Sequence, residues 1–172
     1  MDVAATMQES AREQFGELLE RHRGIVFKVA HTYCRHPDDC ADLAQEIAAQ
    51  LWRAFPGFDP ARSFSTWMYR IALNVAISFV RSSAHRQQHS VSLDEGLHDA
   101  VGDDDHEADQ QLHLLQRLIA QLEPLNRALL LLYLEDRSHR EIADILGINE
   151  GNVATKISRL KQRIRNDLSN GQ

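Results

Sequence analysis

Cysteine is scarce: the 172-residue chain has two, Cys34 and Cys40. Two cannot staple a small fold, and a reducing, cytoplasmic setting is the expectation. Long apolar runs are missing as well. The longest, Ala128 to Leu134, falls far short of the roughly 20 residues of a membrane span. Met1 to Ser10 carry no basic residue and no apolar block, so no secretory signal is expected. There is no convincing apolar–polar alternation of period two, and no Asn-Gly or Asp-Gly turn joins such segments, which argues against a β fold. No catalytic triad, phosphate loop or metal-ligand set is visible, so neither an enzyme nor a cofactor is expected. Apolar residues still make up 43%, enough for a core, and wholesale disorder is excluded.

The net charge of −6 argues at first against a nucleic-acid binder. Its distribution reverses that view. Residues 1–86 hold 10 basic and 10 acidic side chains, 87–110 hold 0 and 8, and 111–172 hold 9 and 7. The whole excess sits in one short segment. Gly151 to Arg165 contains Lys156, Arg159, Lys161, Arg163 and Arg165 and no acid. Local charge outweighs the global value here.

What is present is helical periodicity. A first helix over about Ala11 to Arg35 carries Phe15, Leu18, Leu19, His22, Ile25, Val26 and Val29 on one face. Pro37, Asp38 and Asp39 suit the start of a second, which reaches about Ala54 with Leu43, Ile47 and Leu51 inward. Phe55 to Ser63 is rich in breakers. A third helix opens near Ser63–Ser65, with a stripe of Phe64, Trp67 or Met68, Ile71, Val75 and Phe79, and fades at Ser82-Ser83. Residues 87–110 form a flexible acidic linker. Leu112, Leu115, Ile119 and Leu122 then mark one helix, and Pro124 opens the next. Ser138 and Glu141 make a capping box, Gly147 stops that short helix, and Asn149 caps the last. Its core stripe is Val153, Ile157, Leu160, Ile164 and Leu168. The expected fold is all-α: two small helical domains, residues 11–86 and 111–168, joined by the linker 87–110.

Four constellations carry chemistry. Ser138 to Arg165 makes a helix-turn-helix whose last helix turns Asn152, Thr155, Lys156, Arg159 and Arg163 outward, donors for base edges and phosphates. The bland alternative is an amphipathic surface helix. Asp42, Gln45, Glu46 and Trp52 share one side of the second helix; they could be a solvated face or a docking face for a basic partner, and no third group completes a catalytic or metal site. Trp67, Arg70, Asn74 and Arg81 lie at helical spacing on a side distinct from Phe64, Ile71 and Val75, with Phe58 and Arg62 in the loop before them. Aromatics interleaved with arginine and asparagine suit single-stranded DNA, though a Trp and Phe stripe is often core. His31, Cys34, His36 and Cys40 invite zinc, at a spacing poor for it; buried or idle cysteines are the alternative.

These strings resemble those of a group IV, extracytoplasmic-function sigma factor of bacterial RNA polymerase. The resemblance rests on Asp42-Leu-Ala-Gln-Glu46, Leu51-Trp-Arg-Ala54, Phe64-Ser-Thr-Trp-Met-Tyr-Arg-Ile-Ala72 with Asn74, Ser138-His-Arg-Glu-Ile-Ala143, Leu146-Gly-Ile148, and Gly151-Asn-Val153 leading into Arg159-Leu-Lys161. It covers about residues 13–86 and 109–168. It implies a three-helix region 2 that docks on the β′ clamp helices of core polymerase through Asp42, Gln45, Glu46 and Trp52. That region melts the −10 element and captures a flipped base with Phe58, Trp67 and Asn74, and Arg62, Arg70 and Arg81 lie beside them. It implies a four-helix region 4 that meets the β flap and reads the −35 element through Asn152, Thr155, Lys156, Ser158 and Arg159, with Arg140 near phosphate. Promoter-specific transcription initiation is the implied function. Core polymerase and promoter DNA are the implied partners, an anti-sigma factor is admitted, and no membrane insertion, metal or cofactor is implied. Leu73, Ser78, Ala154 and Asn152 depart from the family pattern and bear on which promoter is read. The acidic linker is expected to thread a basic polymerase channel, to shield the DNA face, or to act as a solvated tether. The rival functions are a stand-alone helix-turn-helix regulator, which leaves the first domain without a task, and an adaptor acting through the Asp42–Trp52 face.

Overall fold

The structure, a computed structural model, describes residues 3–89 and 106–170; the centre of the expected acidic linker, 90–105, lies outside the described residues. Seven α-helices and one short 3-10 turn are described, and no strand occurs among the described residues. Helix α1 (Val3–Tyr33), α2 (Pro37–Ala54) and α3 (Phe64–His89) make the first group, with the turn Phe55–Gly57 after α2. Helices α4 (His106–Gln121), α5 (Pro124–Leu134), α6 (His139–Leu146) and α7 (Glu150–Asn170) make the second.

Local chemistry sets the ends. Pro37 opens α2, and the His36 ring accepts the Asp38 N–H at 3.3 Å. Asp38 and Asp39 sit at the positive end of the helix dipole, and Arg53 sits at the negative one. Ser138 Oγ accepts the Glu141 N–H at 3.1 Å, as a capping serine should. Gly147 ends α6 at φ 69°, a conformation that costs a residue with a Cβ about 1–2 kcal/mol. Asn149 Oδ1 accepts the Asn152 N–H at 2.7 Å and starts α7.

Three helix bounds and one stripe differ from the sequence expectation. α1 begins at Val3, not Ala11, because Ala4, Ala5, Met7, Gln8 and Glu9 favour helix and nothing breaks it. α3 runs past Ser82-Ser83 to His89 for the same reason, and α4 starts at His106, so helix enters both ends of the segment 87–110. The buried residues of α3 are Phe64, Met68, Tyr69, Ala72, Leu73 and Ala76, while Ile71, Val75 and Phe79 are only partly buried. The inward face is broader and rotated because α3 has neighbours on two sides: α1 and α2 on one, α5 and α6 on the other.

The two groups share one core. The last turn of α1 and the start of α3 hold the second group in place. Tyr33 Oη donates to the Pro124 carbonyl at 2.6 Å, and Arg35 Nη2 to the Gln116 carbonyl at 3.3 Å. The α5–α6 turn supplies the return contacts. Lys28 Nζ meets Glu135 Oε2 at 2.8 Å. Arg137 donates to Ser65 Oγ at 3.1 Å and lies over the Tyr69 ring at 5.1 Å. Between Glu135 and Arg137, Asp136 takes a left-handed φ of 56°, which an aspartate tolerates better than most residues. The Lys28–Glu135 pair is half exposed and contributes under about 1 kcal/mol; the buried tyrosines contribute more.

This junction titrates in alkali. Burial raises the Tyr33 and Tyr69 phenols above their ordinary 10.0. The hydrogen bond to Glu135 raises Lys28 above 10.5. A group whose folded pKa is raised gives its full stabilisation below its unfolded pKa and loses it as pH climbs through the folded one. Stability is therefore expected to hold up to about pH 10 and to fall above it. Tyr33→Phe should cost about 1 kcal/mol at neutral pH and flatten the alkaline fall. Urea unfolding followed across the alkaline range checks both; an unchanged alkaline slope in Tyr33→Phe contradicts the assignment.

Candidate nucleic-acid interface

Three surfaces collect the residues singled out in the sequence. The first is on α2. Asp42, Gln45 and Glu46 are all exposed along one side, and Trp52 is half-buried one to two turns on. Gln50 Nε2 donates to Glu46 Oε1 at 3.2 Å. Trp52 packs at 5.2 Å from the Phe15 ring and lies beneath the Arg12 guanidinium at 5.8 Å. The face is acidic with one anchored aromatic, suited to a basic, partly apolar partner.

The second surface joins the loop after α2 to the first turns of α3. Asp59 shapes the loop: its carboxylate accepts the Ala61 N–H at 3.0 Å and its carbonyl the Arg62 N–H at 2.9 Å. Ser63 Oγ accepts the Thr66 N–H at 3.4 Å and starts α3. Arg62, Arg70, Asn74 and Arg81 are exposed, and none of the three arginines makes an ion pair among the described residues. Phe58 and Trp67 are half-buried and meet at 5.1 Å. Trp67 does not stand apart from Phe64, as its spacing suggested; the two rings are 5.3 Å apart. The two are three residues apart on α3, and Phe58 packs on both, 5.4 Å from Phe64 and 5.1 Å from Trp67. Phe55, unmarked in the sequence, extends the cluster: it reaches Phe15 at 5.1 Å, Phe58 at 6.1 Å and Trp67 at 6.3 Å. Phe58 and Trp67 therefore offer edges and partial faces, flanked by uncompensated cations.

The third surface is α7. Asn152, Thr155, Ser158, Arg159 and Arg163 are exposed, and Lys156 is half-buried along its stem. Val153, Ile157 and Leu160 are buried. Ile164 is partly buried and Leu168 is 36% exposed, so the inward stripe weakens at its last turns. Arg140, at the start of α6, is exposed beside it. Two of the cations are committed elsewhere: Lys161 lies 4.3 Å over the Tyr133 ring, and Arg163 is 3.9 Å from Asp167. Arg140, Lys156, Arg159 and Arg165 make no ion pair among the described residues, and beyond Glu150 in its first turn α7 carries no acid as far as Arg165.

His31 and His36 do not join Cys34 and Cys40 in a ligand set. Among the described residues no group of three or more His, Cys, Asp or Glu could hold a metal ion. Sequence reasoning missed Phe55, Arg12 and the junction residues Lys28, Tyr33, Ser65 and Arg137. No spacing rule links Lys28 to Glu135, which are 107 positions apart.

Interface and core residues separate by stability. Asn74→Ala and Arg159→Ala should unfold within about 0.5 kcal/mol of the parent. Trp67→Ala, which opens the ring cluster, should cost about 2 kcal/mol or more. Urea denaturation of the three variants decides; a neutral Trp67→Ala removes the cluster from the account.

Comparison with known proteins covers both helical groups. Residues 18–86 match Sigma-70 region 2, and residues 112–164 match Sigma-70 region 4. The ECF RNA polymerase sigma factor RpoE of Cereibacter sphaeroides is 30% identical over 161 residues, which cover 91% of this chain and 85% of that one. SigW of Bacillus subtilis is 27% identical over 173 residues, covering 94% and 92%. SigE of Mycolicibacterium smegmatis is 28% identical over 172 residues, covering 96% of this chain but 65% of its own length. Among solved structures, CnrH in complex with the cytosolic domain of CnrY aligns with a TM-score of 0.69 at 22% identity, covering 94% and 91% of the two chains. RpoE in complex with the anti-sigma factor NepR from Bartonella quintana aligns at 0.62 and 20% identity, covering 92% and 96%. At such identities the structures speak for the shared helical fold alone. With both sigma regions matched in order, and a relative at 30% identity aligned over most of its length, the chain belongs to the extracytoplasmic-function RNA polymerase sigma factors.

Proposed function

We propose the following division of a sigma factor's task, promoter-specific transcription initiation. Residues 11–86 dock on the β′ clamp helices of core polymerase through Asp42, Gln45, Glu46 and Trp52. The same domain opens the −10 element and holds an unstacked base against Phe58, Trp67 and Asn74, with Arg62, Arg70 and Arg81 on the phosphates. Residues 111–168 read the −35 element through Asn152, Thr155, Lys156, Ser158 and Arg159, with Arg140 on the backbone, and meet the β flap. Residues 87–110 tether the two. The observation that carries this reading is the capped start of α7 with the exposed, acid-free stretch Gly151 to Arg165 that follows Glu150. Donors at a helix N-terminus with cations along one edge are what major-groove readout requires.

The protein performs no bond chemistry of its own in this account. Opening a step costs a few kcal/mol, offset by stacking on the exposed parts of aromatic faces and by phosphate contacts. It acts where the polymerase is, in the cytoplasm. No helix among the described residues is long and apolar enough to cross a membrane. The relative from Bartonella quintana was solved with an anti-sigma factor, and we extend that class of partner to this chain.

The packed arrangement bears on activity. The −10 and −35 elements are named for positions about 25 base pairs apart, roughly 85 Å of duplex. Domains in mutual contact cannot reach both. Fully extended, residues 90–105 reach roughly 55 Å, which with the width of the domains is sufficient. The closed form must open before both elements are held.

Run-off transcription with purified core polymerase on a promoter library tests the proposal. RNA starting at defined sites is expected. Arg159→Ala should lose about 1–3 kcal/mol on the best −35 sequence and relax its preference. Asp42→Arg should weaken core binding without unfolding the protein. Random starts, or Asp42→Arg assembling as well as the parent, contradict it.

A further inference from the structure

We propose that Cys34 and Cys40 form a reversible disulfide that loosens the docking of the C-terminal domain on α1. Cys34 directly follows α1, and Cys40 lies in the first turns of α2 beyond Pro37. The Cys40 thiol donates to the Cys34 carbonyl at 3.0 Å, and its sulfur is 3.9 Å from the Ala30 carbonyl. Each thiol also perturbs the ionisation of the other. A carbonyl oxygen lies about 2.4 Å from its own Cα, so the Cys40 sulfur is within roughly 5.5 Å of the Cys34 Cα. The pair meets across the α1–α2 corner, and closure needs side-chain rotation and a small shift of one helical turn, not refolding.

The pair can also be reached. Cys34 is half-buried and lines a cavity of about 920 Å³ between the end of α1 and helices α4 and α5. Arg35, Arg117 and Arg127 bring positive charge to a lining that is otherwise largely apolar. That charge favours an anionic low-molecular-weight disulfide as the oxidant, of which oxidised glutathione is the common example. The Cys34 thiolate attacks one sulfur of that disulfide and expels a thiolate, leaving a mixed disulfide on Cys34. The Cys40 sulfur then attacks Cys34 and expels the second thiolate. The two protein thiols are oxidised, the small disulfide is reduced to two thiols, and the protons of Cys34 and Cys40 end on them.

Burial pushes the Cys34 thiol up to about 11 and raises Cys40 as well. Asp39 on α2 adds to both shifts, and Arg127 on α5 opposes that of Cys34. The thiolate is a minor form at neutral pH, so closure is slow there and speeds about tenfold per pH unit until Cys34 ionises.

Residues 33–35 translate this chemistry. Tyr33 holds Pro124 and Arg35 holds Gln116, on either side of Cys34. An S–S bond of about 2.05 Å draws the final turn of α1 toward α2 and removes the thiol donor from the Cys34 carbonyl. Both flanking contacts then lose their alignment.

The test uses the full chain and does not depend on promoter activity, so its failure is distinct from failure of the transcription assignment. Reduced protein is incubated with oxidised glutathione, alkylated and weighed, and backbone hydrogen exchange is followed across α4 and α5. The expected product is lighter by two hydrogens, carries a Cys34–Cys40 linked peptide and no glutathione, and exchanges several-fold faster in α4 and α5; dithiothreitol restores the starting state. Cys34→Ser should neither link nor change its exchange, and Cys40→Ser should stop with glutathione on Cys34. Two alkylated thiols, a persistent glutathione adduct on the unsubstituted chain, or a disulfide with unchanged exchange would each overturn the proposal.

Discussion

The arrangement of this molecule depends on how Tyr33 is buried. Its ring closes the last turn of α1, its hydroxyl donates to Pro124, and the Arg127 guanidinium lies 5.7 Å over its face. Arg127 in turn donates to the Ala120 and Leu122 carbonyls, closing the C-terminal end of α4. One cation thus completes a helix end in the second domain and covers an aromatic of the first. The turn at Glu135–Arg137 makes the reciprocal contact with α1 and α3. Removed from either domain, these groups would leave polar atoms that each bundle alone cannot satisfy.

The polar contacts of the junction are individually modest, and a sigma factor needs that. A domain pair that must separate to span two promoter elements cannot be sealed by a large ion-pair network. Here the contacts are a few hydrogen bonds, one half-exposed ion pair and two cation–ring contacts. The aromatic cluster of the first domain is built differently. Phe15, Trp52, Phe55, Phe58, Phe64 and Trp67 form a continuous chain of rings. It runs from the acidic face of α2 to the arginine-edged mouth of α3 and joins the two surfaces through one packed cluster. The −6 charge of the whole chain hides this, because the acids concentrate in 87–110 and leave α7 and the α3 mouth positive.

Local features were legible in the amino acids. Ser138, Gly147 and Asn149 announced the helix-turn-helix because capping is a contact between near neighbours, and each cap is where its chemistry placed it. The exposed positions of α2 and α7 followed from the 3.6-residue period. The stripe of α3 did not. A single-partner periodicity puts Ile71 and Val75 inward, but α3 is packed from two sides and buries Tyr69 and Leu73 instead. Trp67 was misplaced because Phe58, in a breaker-rich segment, gave no sign that it would pack on both Trp67 and Phe64. The junction was illegible in principle: Tyr33 finds a backbone carbonyl 91 positions away, and no side-chain pattern encodes that.

The central claim is that the two domains are docked in the isolated protein and part on the promoter. Single-molecule energy transfer between dyes at the exposed positions Ala61 and Asn166 measures this directly. The account predicts one high-transfer population for the isolated chain and a low-transfer population in the open promoter complex. A single unchanged transfer value in both states would contradict it.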